Sequence, residues 1–173
     1  QSALLAAVRA SLPPEDALYA GIYLDLQETL IMRRQHRRQE AVAVIEKALK
    51  QTADWAAAPA ELRREVHHHH GGIRLATGEL VLSAAAIDQA IACAVEMDDP
   101  FATAALYQDK ADPLWSLGQF AEVETAVRQG IHLCENLNAR WQMLTGVRIL
   151  VDVLVVRGEF AEALTWSDHL ISL

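Results

Sequence analysis

Apolar residues in this chain recur at three- and four-residue intervals, the period of an amphipathic helix, and no segment alternates in the manner of a half-buried strand. The spacing predicts a helix over 1–11, ended by Ser11-Leu12-Pro13-Pro14. A second runs from about Glu15 to Arg33, with Leu18, Ile22, Leu26 and Leu30 on one stripe and acidic residues in its first turn. A third covers 38–53, with Ala41, Val42, Ile45 and Leu49 inward. After a loop around 54–58, Pro59 suits a first helical position. Further helices are expected over 60–77, 79–97, 100–117, 119–136, 139–157 and 159–172. Asp99-Pro100 is a helix start, an aspartate cap followed by a proline whose missing N–H costs little there. The β-branched run VRILVDVLVV reads as helix on its length and flanks. Pro113 falls inside the sixth helix, which it should kink or break, freeing the carbonyl near Asp109 beside Trp115.

Three segments repeat this pattern: LATGELVLSAA, WSLGQFAEVET and VVRGEFAEALT. Their glycines, Gly78, Gly118 and Gly158, are 40 residues apart. A period of that size marks stacked helix pairs that cannot bury their apolar faces singly. Seven residues before the glycines stand Gly71, Ala111 and Val151, where a small side chain would let the next helix cross closely. Three before stand Leu75, Trp115 and Val155; two after, Leu80, Phe120 and Phe160; thirteen after, Ile91, Ile131 and Ile171. The glycine ends the first helix of each pair with left-handed dihedrals. The large residue two later is expected to plug the gap between the helices.

This constellation resembles the tetratricopeptide (TPR) repeat, most closely in GEFAEALTWSDHLI and GQFAEVETAVRQGI, with the small-residue position at Gly71 and Ala111. The likeness extends well over 60–173 and more loosely over 1–58, where the basic stretch RRQHRRQ replaces the Gly-x-Phe turn. TPR units are about 34 residues long; these are 40, similar to the longer, divergent repeats of bacterial LuxR-type and STAND-class regulators. The resemblance implies an all-α, right-handed superhelical array of antiparallel helix pairs, a TPR-like α-solenoid. It would be one domain over 1–173, with a leading helix 1–12 and units at about 15–56, 59–98, 99–137 and 138–173. It also implies a concave binding face made by the first helix of each unit. On this register that face carries Glu65, His68, His69, Gly72, Gln108, Asp112, Trp115, Arg148 and Asp152. Alternatively the face is solvated or covered by neighbouring domains.

Charge and composition narrow the partners. Hydrophobic residues make up 52% and aromatics 6% of the 173 residues, and the net charge is −8, a field that repels nucleic acid and anionic membrane. No uncharged apolar run approaches membrane-spanning length; LVLSAAAIDQAIACAV is interrupted by Asp88. There is no basic region before the first apolar stretch, so no secretory signal is read. Cys93 and Cys134 lack metal-type spacing and are read as reduced, core or near-core thiols of a cytoplasmic protein. The chain begins without methionine and stops inside a helix pattern, at SDHLISL, so we read it as a piece of a longer protein.

Chemistry-bearing clusters are few. In His67-His68-His69-His70 only His67 and His70 have the spacing to share a metal on one helix face, and two ligands make a weak site. A tag is disfavoured, because Gly71 falls in repeat register. The plain reading is a repeat helix with His67 and His70 toward the core and His68 and His69 toward the groove. The basic run Arg33–Arg38 lacks interleaved aromatics and reads as a solvated turn. No phosphate loop and no nucleophile in a strand–turn–helix setting is present, and no cofactor is implied. With the TPR-like resemblance, this implies a non-catalytic module that binds a protein, a peptide or a small-molecule inducer within a larger bacterial regulator. The alternatives are a structural or oligomerisation spacer, self-associating through the ends of the array, and a metal-responsive sensor using His67–His70.

Overall fold

The computed structural model describes residues 2–11 and 17–172. Among them the chain forms ten α-helices and no strand: α1 (Ser2–Ala10), α2 (Ala17–Arg34), α3 (Arg38–Asp54), α4 (Ala60–Thr77), α5 (Leu80–Glu96), α6 (Pro100–Asp109), α7 (Ala111–Ser116), α8 (Phe120–Leu137), α9 (Arg140–Val156) and α10 (Phe160–Ser172). The breaker expected at 12–14 and the helix start expected at Glu15, with its acidic first turn, lie outside the described residues. VRILVDVLVV is helical, within α9. Pro59 stands one position earlier than expected, at the N-cap of α4.

The turns explain the period. Gly78, Gly118 and Gly158 adopt φ of 82°, 73° and 80°. Each closes the same double bond: the Gly78 N–H donates to the Leu75 carbonyl and the Glu79 N–H to the Arg74 carbonyl, and the other two repeat it. Asp98 (φ 53°) and Asn138 (φ 52°) close the same turn midway, so left-handed residues recur every 20 positions from 78 to 158. His36 (φ 60°) makes it too, between α2 and α3, where the glycine is missing.

The expected sixth helix is two. Pro113 has no N–H to offer the Asp109 carbonyl, and the Leu114 N–H reaches the Lys110 carbonyl only at 3.5 Å. The ladder therefore lapses at Lys110, and α7 is a separate turn and a half carrying Asp112 and Trp115.

The chain divides into two compact units, Gln1–Cys93 and Ala94–Leu173, with the boundary inside α5. In the first unit α1 packs on α2, and α2, α3 and α4 pack on one another. Their core holds Ile22, Leu26, Met32, Ala41, Ile45, Leu62, Val66 and Ile73. Leu18, expected on the buried stripe, is exposed, while Asp25 and Thr29 are buried. The Lys47 ammonium reaches the Asp25 carboxylate at 2.9 Å, and the Thr29 hydroxyl donates to the Leu26 carbonyl, so neither polar group is stranded. A Cβ on Gly71 would stand 2.7 Å from Ile87, so the bare backbone lets α5 cross α4 closely.

In the second unit α8 packs against α6, α7 and α9, and α9 against α10. Its core includes Leu106, Leu114, Val123, Val127, Ile131, Met143, Val147, Leu150 and Leu154. The close crossing here is at Gly146, where a Cβ would meet Ile131 at 2.9 Å. Repeat register alone does not ensure burial. Ile131 is 3% exposed, but Ile171, its counterpart 40 residues on, is 84% exposed. Phe160 is exposed as well, correcting the expectation that it plugs a gap; nothing among the described residues covers that side of α10.

Candidate functional site

The groove residues expected from the repeat register fall into two groups, one per unit. In the second unit Asp112 and Trp115 of α7 and Arg148 and Asp152 of α9 line one cleft of about 220 Å³, together with Ala111 and Ile149. Trp115 is held by Phe120, the first residue of α8, whose ring meets the indole edge-on at a centroid distance of 5.2 Å. Arg148 donates to the Asp152 carboxylate at 3.3 Å along one face of α9. The Asp112 carboxylate makes no hydrogen bond or ion pair among the described residues. Partial burial raises its pKa, the charge of Asp109 raises it further, and Arg148 opposes both.

Gln108 is elsewhere. It is 7% exposed, and its amide nitrogen donates to the Gln142 carbonyl at 2.8 Å, tying α6 to α9. Its side chain is committed to the interior of the unit.

In the first unit Glu65, His68 and His69 lie on α4. The Arg64 guanidinium holds the Glu65 carboxylate at 2.7 Å. His68 and His69 meet edge to face, and His69 Nδ1 lies 3.3 Å from the Thr29 hydroxyl of α2. Burial, the main cause, lowers the His69 pKa to about 4, so the ring is neutral at ordinary pH. Arg33 of α2 lies over Gly72, its guanidinium 2.8 Å from where a Cβ would stand; the sequence offered no sign of this contact. All four histidines are half-buried, whereas Leu62, Val66, Gly71 and Ile73 supply the buried face of α4. The division into core-side His67 and His70 and groove-side His68 and His69 is thus not the one observed.

The geometry also speaks against a His67–His70 metal pair. Arg74 Nε donates to His70 Nε2 at 2.9 Å, occupying the lone pair a metal needs, and the same guanidinium is anchored by Glu46 and Glu79. Among the described residues no three His, Cys, Asp or Glu side chains are placed to share an ion. No described helix is long and apolar enough to cross a membrane.

No protein-family model matches the chain, and no curated protein does. Solved structures do. BtubC (BKLC) from P. vanneervenii superposes with a TM-score of 0.79 at 10% identity, over 92% of this chain and 64% of its own. A Podosopora anserina putative kinesin light chain with nearly identical TPR-like repeats gives 0.76 at 15% identity, over 86% of this chain and 72% of its own. This chain is thus shorter than either. At such identities the likeness is one of fold: an all-α, TPR-like repeat architecture.

Proposed function

We propose that this chain is a non-catalytic interaction module that docks a polypeptide partner in the α7–α9 cleft, within a larger bacterial regulator of LuxR or STAND type. One observation carries the reading: four side chains that the repeat register assigned to a binding face converge on one cleft, among them a half-exposed tryptophan and an arginine, types that anchor interfaces. The cleft is smaller than the roughly 300–1,000 Å³ of small-molecule sites, which favours one side chain of a protein or peptide over a metabolite. A partner that prefers one arrangement of the repeats would shift their population and so signal to an attached domain.

The test is selection of displayed peptides on the intact chain, followed by titration against a Trp115→Ala variant of matched stability. Affinity that survives the substitution would remove the cleft from consideration.

A second reading, an assembling scaffold, is favoured by the uncovered face of α10. Phe160, Leu164 and Ile171 are 61%, 67% and 84% exposed there. Sedimentation at rising concentration tests it: association that Leu164→Lys abolishes supports the scaffold.

A further inference from the structure

We propose that the group seated in the α7–α9 cleft is a lysine or arginine side chain of the partner polypeptide, an inference that rests on the cleft being the docking site. Its lining carries two carboxylates, Asp112 and Asp152, against one guanidinium, Arg148. Arg148 is already matched, at 3.3 Å, by Asp152 one helical turn away. Asp112 has no such match, and the field of Asp109 adds to its own. The uncompensated charge at the cleft is therefore negative, in a chain whose net charge is −8. An incoming anion would meet Asp112 and compete with Asp152 for Arg148. An incoming cation would complete the one unmatched carboxylate.

Trp115 points the same way. Phe120 fixes the indole edge-on, and the side chain remains 36% exposed at the cleft. A ring held beside an unpaired carboxylate gives a cation both an electrostatic partner and a π face. The chain uses that pairing elsewhere in the same unit, where the Arg128 guanidinium lies 5.9 Å from the Trp166 ring centroid while bonded to Glu124 and Glu162. The volume of about 220 Å³ admits one long side chain.

The experiment uses blocked tripeptides, Gly-Arg-Gly, Gly-Lys-Gly, Gly-Gln-Gly and Gly-Glu-Gly, titrated into the ¹⁵N-labelled chain. The readout is the Trp115 indole N–H resonance, assigned with Trp115→Phe. The arginine and lysine peptides should shift that resonance saturably, and the glutamate peptide should not. Asp112→Asn should weaken the arginine peptide roughly fivefold at low salt, with the effect fading as salt rises. Asp152→Asn, which leaves Arg148 unmatched, should lower the preference for arginine over glutamate; both substitutions are at exposed positions, and thermal melts check folding. If the glutamine or glutamate peptide shifts Trp115 as well as the arginine peptide does, the cleft stands as a docking site and the cation is overturned. If no peptide moves Trp115, and a selected ligand binds Trp115→Ala unchanged, the docking reading itself falls. Self-association lost in Asp112→Asn without any peptide would replace the partner by a second copy, whose exposed Arg34–Arg38 turn is basic.

Discussion

The amide nitrogen of Gln108 donates to the carbonyl of Gln142 at 2.8 Å, and through that bond a residue expected to face a partner instead holds α6 to α9. Gln108→Leu keeps the volume and deletes the bond, so it should destabilise the second unit by about 1–2 kcal/mol. Urea unfolding measures this. Peptide affinity at the cleft should be unchanged, which separates Gln108 from Asp112 and Trp115.

Two helical glycines in the first unit should respond oppositely to alanine. Gly21 has nothing within 4 Å of a new Cβ, so Gly21→Ala should stabilise by about 0.5–1 kcal/mol through helix propensity. Gly71→Ala drives a methyl to 2.7 Å from Ile87 and 3.3 Å from the Ser83 carbonyl, which should cost about 1–3 kcal/mol. Thermal melts of the two variants decide it; equal effects would mean that α4 and α5 do not cross as closely as described.

The left-handed turns make a different comparison. Gly118 has open space around it but a φ of 73°, so Gly118→Ala should cost about 1–2 kcal/mol of backbone strain alone. Asn138 already bears that strain, and Asn138→Gly should not destabilise. Chemical denaturation of both variants checks the pair.

Stability should fall in mild acid. His69 is neutral in the folded chain down to about pH 4, whereas the unfolded chain takes up its proton near the ordinary imidazole value. The unfolded state then binds more protons between the two values, and stability drops as the pH falls through that window. For His69 the loss from pH 7 to pH 5 should be about 1–2 kcal/mol. Burial shifts His67 and His70 in the same direction. The difference between wild type and His69→Gln, unfolded in urea at both pH values, isolates the His69 share; an unchanged pH dependence would contradict a neutral, buried ring.

Much of the local structure was legible. Helix boundaries fell within a few residues of expectation because caps and breakers act locally: the Asp99 carboxylate accepts from the Ala102 N–H at 2.9 Å, as an aspartate before proline suggests. The turns were half-read. Glycine announces a left-handed residue, but Asp98, Asn138 and His36 reach the same region without announcing it, so a 20-residue rhythm looked like a 40-residue one. The Pro113 break was anticipated, yet not that it would give α7 its own identity and bring Asp112 and Trp115 opposite Arg148 and Asp152.

By itself, then, the sequence determined the helices, the repeat spacing and the left-handed glycines, because periodicity, caps and backbone sterics depend on residues a few positions apart. Tertiary structure decided which register positions are buried. Ile131 and Ile171 are equivalent in sequence, but among the described residues only Ile131 is met by a following helix, with Gly146 opposite it. It likewise decided the fate of polar side chains: Gln108 turned inward to Gln142, and Asp112 kept an unmatched carboxylate at the cleft. Those outcomes depend on what a neighbouring helix presents, and so on contacts between residues up to 34 positions apart that no local pattern encodes.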